Sequence, residues 1–132
     1  MSSVAYIDSS ALLKLVSREE ETSALEADLA HRDGLITSRL AALECRRAAR
    51  RAPNKQVLHT VEQILEAVYL LELTPAILED AAAFDPPLLR SLDAIHLATA
   101  LSVDDPTLEL VTYDLRMAEA AARCGLRVAA PR

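Results

Sequence analysis

Short β-prone runs and stretches of helical period succeed one another along the whole chain. Val4-Ala5-Tyr6-Ile7 is the first run, ended by Asp8-Ser9-Ser10, and Ala11, Leu12, Leu15 and Val16 then recur at helical spacing. The charge run Glu19-Glu20-Glu21 reads as the solvated start of a second helix that carries Leu25 and Leu29, with Gly34 as its C-cap. Leu35-Ile36-Thr37 is a second strand. Ser38 caps a helix from Arg39 to about Arg51, Pro53-Asn54 breaks the chain, and a long helix follows from about Lys55 to Val68. Tyr69 to Leu73 makes a third strand. Thr74-Pro75 opens another helix, because proline suits the first helical position, and Pro86-Pro87 stops it. Ser91 is expected to cap a helix from Leu92 to about Val103, apolar on nearly all sides and therefore buried. Asp104-Asp105-Pro106 is a turn, and Leu108 to Thr112 is a nearly continuous apolar strand of the kind covered on both faces. Asp114 caps a last helix to about Cys124, Gly125 closes it, and Leu126 to Ala130 is a final strand.

This alternation predicts an α/β fold, a parallel sheet with helices on both faces. A length of 132 residues suits a single domain over 1–132. Hydrophobic residues at 52% and charged residues at 26% fit a packed core, and aromatics at 3% leave Leu, Ala, Val and Ile to build it. Gly34 and Gly125 are the only glycines, which excludes a glycine-rich phosphate loop. A net charge of −6 speaks against a protein that simply coats nucleic acid. It does not speak against a nuclease, whose clustered acids bind divalent cations that invert the local field, and it leaves room for a basic partner. Cys45 and Cys124 lie far apart among apolar helical residues and read as buried free thiols. With no signal peptide in view, they point to a reducing, cytoplasmic setting. No apolar run approaches the roughly 18 residues of a membrane span, so no membrane association is expected.

Ligands of open α/β sheets bind beyond the carboxyl ends of the strands. Asp8 follows the first strand, Asp114 follows the fourth, and Asp93 lies in the first turn of the buried helix. Glu44 stands alone among the apolar residues of Ala41-Ala42-Leu43-Glu44-Cys45, a costly place for an acid without a partner or a metal. Each acid has an ordinary explanation: Asp114 as an N-cap, Asp93 as a complement to the helix dipole, Asp8 as the start of a turn or helix, Glu44 as the partner of Arg47. Jointly they form the constellation expected of a divalent-metal site. Mg²⁺ and Mn²⁺ prefer oxygen ligands, and one or two such ions drive in-line phosphodiester displacement.

Tyr6-Ile7-Asp8-Ser9-Ser10-Ala11-Leu12-Leu13-Lys14-Leu15, Ser91-Leu92-Asp93-Ala94-Ile95-His96-Leu97-Ala98-Thr99-Ala100 and Val111-Thr112-Tyr113-Asp114-Leu115-Arg116-Met117 resemble, in order, three motifs of the PIN-domain family, in particular of its VapC-type toxins. Glu44 stands where that family has its acid after the second strand. The resemblance covers essentially the whole chain. It implies a three-layer α/β/α PIN-like fold with a central, mostly parallel, four- to five-stranded sheet. It implies Asp8 and Asp93 as chief ligands of Mg²⁺ or Mn²⁺, Glu44 and Asp114 completing the acidic pocket, and Ser9 and Thr112 as hydroxyl neighbours that orient acids or waters. The activity implied is endonucleolytic cleavage of RNA. The partners implied are an RNA substrate, a cognate VapB-type antitoxin that holds the toxin inactive, and a second copy of the chain. A PIN-domain RNA-processing nuclease outside any toxin–antitoxin pair, and a non-catalytic PIN-like interaction module, are the alternatives.

Arg39, Arg46, Arg47, Arg50 and Arg51 give the helix around Glu44 a basic side. A solvated face is one reading and a phosphate track for RNA the other, with Arg47 and Arg51, on the face of Glu44, the candidate substrate contacts. His96 has no nucleophile to pair with and reads as a packed or hydrogen-bonded core histidine; His31 and His59 read as surface residues. The apolar surface of the first two helices exceeds one stripe, and part of it suits a dimer face or an antitoxin groove. A phosphate-receiver domain wants paired acids after the first strand and a lysine after the last, and a haloacid-dehalogenase-like phosphatase wants Asp-x-Asp. Asp8-Ser9-Ser10 supplies neither pattern.

Overall fold

A computed structural model describes residues 3–84 and 89–132. Its elements are β1 (Val4–Ile7), α1 (Ser9–Val16), α2 (Thr22–Ala30), β2 (Gly34–Ser38), α3 (Arg39–Arg51), α4 (Gln56–Glu66), β3 (Tyr69–Leu71), α5 (Pro75–Ala82), α6 (Ser91–Leu101), β4 (Glu109–Val111), α7 (Leu115–Arg123) and β5 (Arg127–Ala129). The sheet has five strands in the order β3-β2-β1-β4-β5, and every neighbouring pair is parallel. The chain builds outward from β1 through β2 to β3, then crosses to the other side of β1 to add β4 and β5. Strand order therefore reverses between β1 and β4, and the crevice beyond their carboxyl ends is where such sheets bind ligands.

Strand alternation sorts the core into layers. Ala5 and Ile7 point to one face, where they pack with Leu12 of α1, Leu25 of α2, Ala41 and Cys45 of α3, and Val61 and Leu65 of α4. Tyr6 and Leu110 point to the other face, against Leu97 and Ala100 of α6 and Met117 and Ala121 of α7. α5 lies outside α6, with Ile77 and Ala81 against Ala94 and Ala98. The expected three-layer α/β/α arrangement is thus realised, with five strands and no antiparallel pair among the described residues.

Caps begin several helices as expected: Ser38 Oγ accepts from Leu40 N at 3.0 Å, Thr74 Oγ1 from Ile77 N at 3.1 Å, and Asp114 Oδ1 from Arg116 N at 2.9 Å. Two punctuation residues act differently. Gly34 opens β2 opposite Val4, while α2 closes at His31 in right-handed geometry with backbone bonds to Asp28 and Leu29. Among the described residues only Gly125 has positive φ, at 84°, and it follows the end of α7. Ser91 is the first residue of α6 rather than its cap; Arg90 precedes the helix without a side-chain cap bond, so Asp93 is the acid that meets the amino-terminal dipole. The helix expected over 55–68 is trimmed to Gln56–Glu66, and α5 ends at Ala82; the Pro86-Pro87 stop lies outside the described residues. Cys45 is buried but Cys124 is exposed, because it falls on the open side of the last turn of α7. Among the described residues no helix is long and apolar enough to cross a membrane.

Candidate active site

Asp8 leaves the end of β1 with 3% of its surface exposed and caps α1. Its Oδ1 accepts from Ser10 Oγ at 2.6 Å and Ala11 N at 3.0 Å, and its Oδ2 accepts a short bond from Thr112 Oγ1. Burial raises the Asp8 pKa, and the bonds from Ser10, Thr112 and Ala11 oppose that rise. Thr112, at the end of β4, also accepts from Asp114 N at 3.1 Å. One hydroxyl therefore joins the two acids that follow the two central strands. Ser10 adds a second tie, since its Oγ accepts from Tyr113 N at 3.0 Å.

Glu44 of α3 turns inward. Its Oε1 accepts from Ser9 Oγ at 2.5 Å and from His96 Nε2 of α6 at 2.7 Å. Burial pushes its pKa up, but the His96 and Ser9 bonds and the histidine charge outweigh burial and hold the carboxyl below its ordinary value. The partner of Glu44 is thus His96 and not Arg47. Asp93, one turn before His96, is partly buried and has no hydrogen-bond or ion-pair partner among the described residues. Its pKa is raised by burial and then by the charge of Asp114, with His96 and Arg90 pulling the other way and Glu44 adding to the rise. Asp93 therefore lies within electrostatic reach of Asp114 and Glu44.

Asp8 and Asp114 follow the two central strands, Asp93 feels the charges of Asp114 and Glu44, and Ser9 and Thr112 are the hydroxyl neighbours of Glu44 and Asp8. The set does not yet form a cage: among the described residues, no three His, Cys, Asp or Glu side chains converge closely enough to enclose a cation. Asp8 is held by its own donors and Asp114 by the amino terminus of α7, where Oδ1 also accepts from Met117 N at 3.3 Å. The donor chemistry suits a hard cation all the same. Every acid offers oxygen, and Mg²⁺ is held by one or two carboxylates while keeping several waters.

Arg47 and Arg51 are exposed and make no ion pair among the described residues. Arg46 and Arg39, from the same basic run, are taken by Glu62 at 2.8 Å and Glu72 at 2.9 Å. Ser10 and Tyr6 escape a sequence reading, and His96 is the hydrogen-bonded core histidine expected, but its bond to a site acid is not foreseen. Tyr6 OH lies 2.8 Å from His96 Nδ1, so the buried imidazole has a partner on each nitrogen. The available signal was two unmet needs, a phenol in the central strand and a lone acid in an apolar helix, which one histidine could meet together.

The PIN domain is the family whose description matches, over residues 5–123. Ribonuclease VapC35 of Mycobacterium tuberculosis is 44% identical over 130 residues, covering 96% of both chains. Ribonuclease VapC46 of the same organism is 39% identical over 133 residues, again covering 96% of each. Among solved structures, a toxin–antitoxin complex from Klebsiella pneumoniae superposes with a TM-score of 0.74 at 22% identity, over 97% of this chain and 98% of that one. VapC20 of Mycobacterium tuberculosis, described as a sarcin–ricin loop cleaving toxin, has a TM-score of 0.72 at 14% identity, over 88% of this chain and 94% of its own. The two structures share the fold, and the two relatives share the sequence along nearly its full length. The chain belongs to the PIN-domain family, alongside the VapC ribonucleases.

Proposed function

We propose that this chain is a divalent-metal-dependent endoribonuclease, the toxin of a VapBC-type pair, acting in the cytoplasm and neutralised by a VapB-type antitoxin. The observation that carries the reading is the Asp93 carboxylate, without a partner among the described residues and raised by burial and by the charges of Asp114 and Glu44. Such a cluster of like charges is stabilised by a bound cation. Relatives that are ribonucleases by name, at 44% and 39% identity, support the same activity. A toxin–antitoxin complex among the structures of the same fold is in keeping with the partner.

Asp8, Asp93, Asp114 and Glu44 would hold Mg²⁺ or Mn²⁺. When bound, such an ion supplies Lewis-acid activation of water and charge stabilisation for in-line phosphodiester displacement. The chain's own part is orientation. Ser10, Thr112 and Ala11 N fix the Asp8 carboxylate, and Ser9 fixes that of Glu44. Arg47 and Arg51 would meet RNA phosphates, a reading supported by their exposure and by the lack of any ion pair to them among the described residues. A second copy of the chain is the remaining proposed partner, to be read by light scattering. The test of the activity is RNA cleavage with Mg²⁺ and with chelator, in wild type and Asp8→Asn. Chelation and the substitution should each abolish cleavage; undiminished cutting in either case overturns the metal mechanism.

A further inference from the structure

Beneath the acids runs an unbroken polar chain: Tyr6 OH to His96 Nδ1 at 2.8 Å, His96 Nε2 to Glu44 Oε1 at 2.7 Å, and Ser9 Oγ to the same Glu44 oxygen at 2.5 Å. It joins the central strand, α6 and α3. Its first member is packed inside the sheet. Tyr6 is fully buried on β1, and its ring meets the imidazole edge-on, with centroids 6.0 Å apart and planes at 77°. His96 is itself 2% exposed, in a helix whose other buried residues are mostly Ala and Leu. A core histidine needs only satisfied nitrogens. This one commits one nitrogen to a rigid strand and the other to an acid of the site.

Both anchors on Glu44 take the same atom. Oε1 receives His96 Nε2 and Ser9 Oγ, while Oε2 has no partner among the described residues. Glu44 reaches from its helix through several rotatable bonds, and its position is thereby referred back to the sheet. We propose that His96 is a positioning residue that fixes Glu44 through one oxygen and leaves the other to serve the cation or water of the site. The proposal deepens the nuclease reading and rests on it.

Two substitutions separate the two nitrogens. The amide nitrogen of His96→Asn falls near Nδ1 and keeps Tyr6 but releases Glu44; that of His96→Gln reaches the place of Nε2 and keeps Glu44. On the full chain, Mn²⁺ titration followed by electron paramagnetic resonance should show binding weakened about tenfold or more in His96→Asn, the usual effect of losing a residue that orients a ligand. Its kcat on RNA should fall with KM little changed. His96→Gln should recover most of both losses, although the two variants lose comparable thermal stability. Leu97→Val, in the same buried helix, should lower Tm and leave Mn²⁺ binding alone. Wild-type Mn²⁺ affinity in His96→Asn, or a His96→Gln as impaired as His96→Asn, overturns the proposal. If wild type neither binds Mn²⁺ nor cuts RNA, the nuclease reading itself fails. The Tm cycle of His96→Asn with Glu44→Gln then decides the pairing: additive losses overturn it, and non-additive losses uphold it.

Discussion

Thr112→Val removes a hydroxyl and leaves a side chain of nearly the same shape, at a position 1% exposed. Packing is retained, so the cost comes from hydrogen bonds. The hydroxyl donates to the buried Asp8 carboxylate and accepts from Asp114 N. A hydrogen bond to a charged, desolvated group contributes about 1.5–3 kcal/mol, and the Asp114 amide is near enough to solvent to recover most of its loss. The expected penalty is about 2–3 kcal/mol at neutral pH, a fall in Tm on the order of 10 °C for a domain of this size. The dependence on pH identifies the cause. Burial already raises the Asp8 pKa, and the Thr112 bond is one of the forces opposing it. Without that bond the folded-state pKa climbs further, so as pH rises the variant goes on losing stability after the wild type has levelled off. The penalty should be large above the folded-state pKa of Asp8 and shrink as pH falls through it, where protonated Asp8 loses only a neutral bond. Urea denaturation across that range measures it. A penalty under about 0.5 kcal/mol at neutral pH, or one that ignores pH, would refute the reasoning.

Asp93→Asn should raise the Tm of metal-free protein at neutral pH, because burial and the Asp114 charge raise the native pKa and make ionised Asp93 a destabilising group. Such a group favours folding below its unfolded pKa and loses that benefit as pH rises through the folded one, so the gain should vanish in acid; thermal melts in chelator at two pH values check it. Gly125→Ala places a Cβ at φ 84° with nothing within 4 Å of it, so the cost is purely conformational, about 1–2 kcal/mol, with Asn costing less; chemical denaturation reads both. A thiol reagent should label Cys124 in the native protein and spare Cys45, whose thiol is pushed up to about 12 by burial and the nearby Glu44 and Asp8 charges; mass spectrometry before and after unfolding distinguishes the two.

What a sequence carries locally was legible here. Ser38 before a helical period, Thr74-Pro75 and Asp114 each announce a helix start because the capping bond lies within a few residues of the cap. The strands β1 and β4 were legible because burial on both faces demands near-continuous apolar residues. Where two local devices compete, the outcome depends on tertiary pairing. Gly34 reads as a helix end, yet β2 needs a residue opposite Val4, and the pairing takes it. Ser91 reads as a cap, yet the helix begins one residue earlier. The four acids were legible as a constellation because strand ends and helix starts are local features. Their hydrogen-bond partners were not. Asp8 and Thr112 are 104 positions apart, and Glu44 and His96 are 52 apart, so only the folded sheet reveals which donor serves which acid.

The reversal of strand order between β1 and β4 also sets when the site can exist. β1 emerges well before β4 in synthesis, and the bond from Thr112 to Asp8 spans 104 positions. A nascent chain that has built β1, β2 and β3 possesses Asp8 and Glu44 on a half-finished sheet, with one side of its central strand bare. Closing that side with β4 brings Thr112 and Asp114 alongside Asp8. A chain that stops short of β4 thus lacks the hydroxyl that holds Asp8 and the strand end that carries Asp114, so the acid cluster is a late product of folding.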